Sequence, residues 1–276
     1  HSNQIQNMRV LFINPPSVPH NLLERGFALD RPTLRQTVAM PMGILYLGAV
    51  LKRDMPDVQI DVCDLALAYR RYADDPERKA GRLGAFIANE LRRFSRPDAI
   101  GISVLFSTAH KTTLKIAQAA KALWPSIPII VGGMHATNAA PQLLECEAID
   151  YVCRGEAEAS ITDMVVSMAV VDKIEPCFAS ERIPGVVGRY KLSTGKLDAC
   201  PLIYDLDKIP LPAWDLIPME QYVSGEASRL RSIDKIEQDR EATIVTTRGC
   251  PFHCTFCESW TVHGREMRYR STENVI

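Results

Sequence analysis

Short apolar runs that alternate with helix-like segments constrain the fold of this chain more than any other feature. Five runs rich in apolar residues lie at positions 10–13, 58–62, 99–106, 127–131 and 150–153. Runs of this length and composition predict β-strands. Because helical segments separate them, the strands are expected to form a doubly wound parallel sheet of the α/β class.

The segments between the strands carry apolar residues at three- and four-residue steps, which predicts helices with one buried face. Pro41 stands where a helix begins. Asp74 and Asp75 are predicted to cap a long helix that buries Leu83 and Leu91. Further helices are predicted over residues 112–124, 140–146 and 161–171. Residues 17–40 show no clear period, so a long loop is predicted there.

Ligands of such sheets bind beyond the carboxyl ends of the strands. The loops at those ends are residues 14–17, 103–110, 132–137 and 154–156. Glycines in these loops let a ligand approach the backbone closely. These residues also have a purely structural interpretation. Gly132-Gly133 could form a tight turn, the Ser103 hydroxyl could face the core, and His135 could be hydrogen-bonded to a neighbouring carbonyl.

Three cysteines near the C-terminus follow the spacing C-x3-C-x2-C: Cys250, Cys254 and Cys257. Three thiolates on one short loop can hold three irons of a [4Fe–4S] cluster, which leaves the fourth iron open. No fourth cysteine follows them. The alternatives are three unrelated thiols, or a zinc site that His253 or His263 completes.

This loop, with Phe256 before the third cysteine and a strand-like run at residues 242–247, resembles the cluster loop of the radical S-adenosylmethionine (SAM) enzymes. The resemblance implies that Cys250, Cys254 and Cys257 hold a [4Fe–4S] cluster whose open iron chelates SAM, with Phe256 beside SAM. It also implies that an electron from the cluster cleaves SAM to a 5′-deoxyadenosyl radical, and that a flavodoxin or ferredoxin donates that electron.

The strand-end motifs resemble those of the cobalamin-binding domain that precedes the radical SAM domain in one large subfamily. The resemblance implies a flavodoxin/Rossmann-like fold. A D-x-H-x-x-G motif is absent from the sequence, so cobalamin is expected to bind without an axial histidine from that motif. The implied cobalamin contacts are Asn14, Pro15, Pro16, Ser103, Ser107, Gly132, Gly133, His135, Thr137, Gly155 and Glu156.

Four segments follow from these resemblances. Residues 1–7, ahead of Met8, are interpreted as left over from cloning, and residues 8–171 as the cobalamin-binding domain. Residues 172–241 are predicted to be an inter-domain linker with a small hairpin around residues 193–195. Residues 242–276 are predicted to be the start of a radical SAM (β/α) barrel. The chain is therefore expected to be an N-terminal fragment that is inactive alone, with an unpaired strand at residues 243–247.

The resemblance implies a cobalamin-dependent methyltransferase that acts on an unactivated carbon through the 5′-deoxyadenosyl radical and methylcobalamin. A radical SAM cyclase of the tetrapyrrole type, for Mg-protoporphyrin monomethyl ester, is the enzymatic alternative. A non-catalytic cobalamin-binding module is the second. A flavin or phospho-receiver domain is the third, although Asn14-Pro15-Pro16 stands where a receiver carries acidic residues.

Composition and charge limit the kinds of partner and the cellular compartment that are expected. The formal net charge of −1 gives no electrostatic signal for nucleic acid. No apolar run is long enough for a membrane span, and no secretory signal is present. Eight scattered cysteines do not suggest a disulfide scaffold, so a reducing cytoplasm is expected. The substrate, a small molecule or a peptide, is not indicated.

Overall fold

Six strands form the main sheet in a computed structural model, which describes residues 8–28, 38–77, 79–168, 180–223 and 243–276. Their order is β2-β1-β3-β4-β5-β6. The first five are parallel, and β6 runs antiparallel to β5. The predicted doubly wound α/β sheet is confirmed. The strands are Arg9–Asn14 (β1), Gln59–Asp64 (β2), Ala99–Ser103 (β3), Ile129–Gly132 (β4), Tyr151–Cys153 (β5) and Val186–Val187 (β6).

Helices cover both faces of this sheet. Successive side chains of a strand lie on opposite faces. Leu11 and Ile13 of β1 belong to one buried cluster, and Val10 and Phe12 belong to the other. Helices α1, α3, α4, α5 and α7 pack in the first cluster, and α2 and α8 pack in the second. These helices are His20–Ala28 (α1), Met42–Asp54 (α2), Leu65–Asp74 (α3), Leu83–Leu91 (α4), His110–Leu123 (α5), Met134–Asn138 (α6), Ala140–Leu144 (α7) and Ile161–Val166 (α8).

The strand order reverses at β1, which pairs with β2 on one side and with β3 on the other. Phe12 of β1 lies opposite Val62 on one side and Gly101 on the other. In open α/β sheets the crevice beyond such a reversal is the usual ligand site. The loops after β1 and β3 meet there.

The chain after β6 packs back onto the sheet domain, residues 8–168. It contains α9 (Arg189–Ser193), α10 (Glu220–Val223), α11 (Trp260–His263), α12 (Thr272–Val275), and a two-stranded antiparallel sheet of β7 (Thr247–Arg248) and β8 (Arg268–Tyr269). The Ala213 N–H donates to the Leu45 carbonyl of α2 over 3.1 Å. The Tyr222 hydroxyl donates to Asp64 over 2.5 Å.

The loop predicted over residues 17–40 is wrong in its first half, where α1 forms. Leu23 and Phe27 lie one turn apart and are almost fully buried in the core. Gly26 interrupts the helical pattern and lowers the local propensity. Tertiary packing therefore stabilises this helix despite its lowered propensity. Residues 29–37 lie outside the described residues.

The cap predicted at Asp74 and Asp75 is also wrong, because α3 ends there. Asp64 caps α3 instead, and its carboxylate accepts the Leu67 N–H over 3.0 Å. The Asp75 carboxylate accepts the Glu77 N–H over 2.9 Å and forms a turn. Helix α4 begins only at Leu83. The helix predicted over residues 140–146 is the shorter α7, and α6 precedes it.

The predicted hairpin at residues 193–195 is wrong as well. Helix α9 occupies this segment and is followed by Gly195, whose φ of +73° suits the left-handed residue after a helix. Of the unpaired strand expected at residues 243–247, only Thr247 lies in a strand, and it pairs with Tyr269. The strand β7 continues to Arg248, which pairs with Arg268. The predicted boundaries at residues 7, 171 and 241 lie outside the described residues.

No helix within the described ranges is both long and apolar enough to cross a membrane.

Candidate functional site

A cavity of about 300 Å³ lies beyond the carboxyl ends of β3, β4 and β5. Ser103, Gly132 and Gly155 line it from the strand ends, and Gly43 and Tyr46 line it from α2. Its walls are mainly apolar, with a few polar groups gathered toward β5. A concave apolar pocket with few polar groups is the usual form of a ligand site.

Two glycines keep this cavity open. A Cβ atom on Gly132 would lie 3.8 Å from the Cβ of Cys153, and one on Gly43 would lie 4.0 Å from the Ser103 hydroxyl. Both are ordinary contact distances, so a larger side chain would occupy the cavity and not clash with the backbone. Gly133 differs, because its φ is +103° and its Cβ would lie 2.5 Å from the Val104 carbonyl oxygen. Gly133 is required by the turn itself.

A second cavity of about 100 Å³ lies beside the first, next to the end of β1. Asn14 and Pro15 line it together with Ser103 and Leu105, which also line the larger cavity. The Asn14 side-chain amide donates to Asp64 over 3.1 Å, which fixes its orientation. Ser103 therefore stands between the two cavities.

Four of the predicted cobalamin contacts are not among the residues that line either cavity. The Thr137 hydroxyl donates to the Gly133 carbonyl and accepts the Gly155 N–H, each over 3.1 Å, so it joins two strand-end loops. His135 lies 2.8 Å from His110 between ring nitrogens. Burial lowers the pKa of both histidines. Ser107 is exposed and Pro16 is buried.

The loop after β5 carries a buried carboxylate, Glu156, that is bound from several sides. Arg268 donates to its two oxygens over 2.7 and 2.8 Å. The His263 Nδ1 and the Ile203 N–H donate to it over 2.9 and 3.1 Å. A guanidinium nitrogen of Arg248 lies 3.5 Å away, and Arg248 also pairs with Glu158. We call Glu156, Glu158, Arg248, His263 and Arg268 the Glu156 cluster.

The charges of this cluster balance, with two carboxylates against two guanidinium groups. Burial alone would raise the pKa of Glu156, but hydrogen bonds from Arg268 and His263 and the charge of Arg248 outweigh it and lower the pKa to about 2. Burial would lower the pKa of Arg248, and the Glu158 carboxylate raises it. Glu156 is therefore ionised at neutral pH, and His263 holds its Nδ1 proton toward it.

The cysteine loop, residues 249–259, lies between β7 and α11. Gly249 has a φ of +94°, and a Cβ there would lie 1.9 Å from the Glu266 carbonyl oxygen, so only glycine fits. The Cys250 N–H donates to the Gly264 carbonyl over 3.2 Å and closes the loop. Phe256 is 88% exposed. A hydrogen bond from Ser259 lowers the pKa of the Cys257 thiol.

The three thiols share this loop, but they are not gathered around one point. Across the described ranges, no three His, Cys, Asp or Glu side chains are arranged to hold a common metal ion. The donor set suits an iron–sulfur cluster, since thiolates are its usual ligands. His263 is bonded to Glu156, so the zinc alternative that uses His263 gains no support. The alternative that uses His253 stays a prediction.

A family model, the B12 binding domain, matches residues 35–165. An uncharacterized methyltransferase of Pyrococcus horikoshii is 28% identical over 274 residues, which cover 98% of this chain and 49% of that protein. The radical S-adenosylmethionine methyltransferase TsrM from Kitasatospora setae has a similar fold, with a TM-score of 0.57 and 16% identity over 98% of this chain and 44% of that one. The predicted resemblance to the cobalamin-binding radical SAM enzymes is confirmed.

The anaerobic magnesium-protoporphyrin IX monomethyl ester cyclase of Rubrivivax gelatinosus is also similar to this chain. It is 30% identical over 187 residues, 66% of this chain and 30% of that protein. The chain thus spans about half or less of the length of the relatives that it matches. One TsrM structure holds cobalamin and a [4Fe–4S] cluster.

The cationic half of the Glu156 cluster was not predicted from the sequence. Arg248 and Arg268 are buried, and Arg248 and His263 line the larger cavity. Arginine is rarely buried without a partner, but a sequence alone does not tell that these arginines are buried. Tyr46 was missed too, and its ring lies under Arg248 and Arg270 at 5.8 and 5.4 Å.

Proposed function

We propose that this chain is part of a cobalamin-dependent radical SAM enzyme that transfers a methyl group from SAM to an unactivated carbon. One observation carries the proposal. The cofactor cavity of the B12-binding domain and the cysteine loop share a wall, because Arg248 and His263 flank the loop and also line the cavity. Two cofactors that act in one reaction need this closeness.

The larger cavity suits part of a cobalamin molecule. Gly132 and Gly43 leave it open, and Gly133 and Gly155 bring backbone to its edge. Ser103 offers a hydroxyl between the two cavities. We assign these residues to the cofactor, and we assign Pro16, Ser107, His135 and Thr137 to the support of the loops around it.

The cysteine loop supplies the second site. Cys250, Cys254 and Cys257 are the proposed ligands of the [4Fe–4S] cluster, and exposed Phe256 is the proposed neighbour of SAM. The bound cluster supplies the electron that cleaves SAM. The loop presents its thiols on the outside, where Cys254 is exposed and an incoming cluster has access.

A radical SAM cyclase is the second candidate, and the relation to the Rubrivivax gelatinosus cyclase favours it. The two activities differ in what becomes of SAM. Methyl transfer yields S-adenosylhomocysteine, whereas cleavage by the cluster yields 5′-deoxyadenosine and methionine. A cobalamin-binding module without catalysis yields neither product.

A flavodoxin or ferredoxin is the proposed electron donor, and the cytoplasm is the proposed compartment. The substrate is a small molecule or a peptide. A formal net charge of −1 argues against nucleic acid as a partner.

The products of SAM test this proposal in the longest natural form of the protein. The protein is reconstituted anaerobically with iron and sulfide and incubated with SAM, dithionite and either cobalamin or no cobalamin. We expect S-adenosylhomocysteine that depends on cobalamin, together with 5′-deoxyadenosine. 5′-Deoxyadenosine without S-adenosylhomocysteine would favour the cyclase, and the absence of both would refute an enzymatic role.

A further inference from the structure

The Glu156 carboxylate makes its polar contacts with a distant part of the chain. It follows β5 in the B12-binding domain, yet its partners are Ile203, Arg248, His263 and Arg268. Among the described residues, every such partner lies after residue 200. The contacts with Arg248, His263 and Arg268 therefore join the domain to the segment that carries the cysteine loop, and none of the four contacts holds the domain itself together.

Both ends of the cysteine loop meet at this carboxylate. Arg248 stands two residues before Cys250, and His263 stands six residues after Cys257. Arg268 donates to the His263 carbonyl over 2.7 Å as well as to Glu156. The loop is thus fixed at two points to one group on the domain.

The carboxylate has no acceptor capacity left for a ligand. An ionised carboxylate offers about four lone-pair positions. One oxygen of Glu156 accepts from Arg268 and His263, and the other accepts from Arg268 and the Ile203 N–H. A cofactor amide could bind only by displacing one of these donors.

We propose that Glu156 is a positioning residue that fixes the cysteine loop against the wall of the cofactor cavity, and that its carboxylate does not bind the cofactor. The role of the cysteine loop rests on the proposed function. The contacts between Glu156 and its partners do not depend on that function. Removal of one partner from a buried ion pair is strongly destabilising, because the other charge stays buried without compensation. The loss of stability is expected in the segment that carries the cysteine loop, because other residues form the core of the sheet.

Hydrogen–deuterium exchange on this chain tests the inference without any cofactor. The variants are Glu156→Gln and Arg268→Gln, which remove the contact from opposite sides. Glu181→Gln is the matched control, because Glu181 is a buried glutamate that accepts the Lys191 N–H outside the cluster. We expect amides of residues 247–270 to exchange about tenfold faster or more in both variants. Exchange in β1, β3 and β4 should be unchanged, and the control should match the wild type at residues 247–270.

Cobalamin binding in the same variants separates this inference from the proposed function. We expect Glu156→Gln to keep its affinity for hydroxocobalamin within about threefold. Unchanged exchange at residues 247–270 in both variants would overturn the inference, and so would faster exchange throughout the sheet. Lost cobalamin binding with unchanged exchange would make Glu156 a ligand contact. A wild type that binds no cobalamin would refute the proposed function, while the exchange data would still decide this inference.

Discussion

Arg268 donates to both carboxylate oxygens of Glu156, over 2.8 and 2.7 Å, although 112 residues separate them in the sequence. Both side chains are buried, with 3% and 1% of their surface exposed. Two parallel N–H···O contacts fix direction as well as distance. The segment after β7 is therefore held in one orientation on the B12-binding domain.

The ion pair predicts a pH dependence. The folded state lowers the pKa of Glu156 from 4.5 to about 2. A carboxylate whose pKa is lowered in the folded state contributes its full stabilisation at pH values above its unfolded-state pKa. This contribution is lost as pH falls through the folded-state pKa. We expect the thermal midpoints of wild type and Glu156→Gln to differ by a constant amount from pH 7 to about 5. The difference should shrink below about pH 4.5, and circular dichroism melts can measure it. A difference that is the same at pH 6 and at pH 3 would contradict this.

The cysteine loop predicts the iron content. Anaerobic reconstitution should give about four irons per chain. Replacement of Cys250, Cys254 and Cys257 by alanine should abolish that iron and leave the far-ultraviolet circular dichroism unchanged. Cys146→Ala, at a partly buried cysteine outside the loop, is the control and should keep its iron. Equal iron in the triple variant and the wild type would refute the assignment.

The docking of α10 against the end of β2 predicts a cost for Tyr222→Phe. The Tyr222 hydroxyl donates to the buried Asp64 carboxylate over 2.5 Å. Burial raises the pKa of Asp64, and this hydrogen bond opposes the rise. Loss of the hydroxyl should destabilise the fold by about 1–3 kcal/mol, measured by urea unfolding. Tyr204→Phe, at a tyrosine that is 64% exposed, should have little effect. Equal losses in both variants would mean that the hydrogen bond is unimportant.

The sequence predicted the sheet because its signals are local. The apolar run at residues 10–13 and its polar neighbour Asn14 specify a buried strand and its end without reference to any other segment. The glycines at the end of β4 are local signals as well, because the turn there needs them. Helix α1 was missed because its evidence is tertiary, since Leu23 and Phe27 are buried by helices far along the chain. The Asp64 cap was missed because Asp64 is itself the last residue of β2, and α3 follows it without a break.

The Glu156 cluster could not be predicted from the sequence. The resemblance suggested Glu156 as a cofactor contact, but its partners at positions 248 and 268 come close only when the chain folds back. Charged residues at those positions are ordinary surface residues in a sequence pattern. The cysteine loop was predicted as a motif. Its attachment to the cofactor cavity through Arg248 and His263 emerged only from the structure.

Cobalamin binding tests the central claim most directly. Gly132 borders the cavity with room for a side chain, whereas Gly84 lies on α4, away from the cavity lining, where an added Cβ would meet no atom within 4 Å. Wild type, Gly132→Leu and Gly84→Leu are each mixed with hydroxocobalamin, and free ligand is removed by gel filtration. We predict corrin absorbance with the wild type and with Gly84→Leu, and at least about tenfold weaker binding by Gly132→Leu, because the leucine fills the space. A colourless wild type, or equal binding by both variants, would contradict a cobalamin site in this cavity.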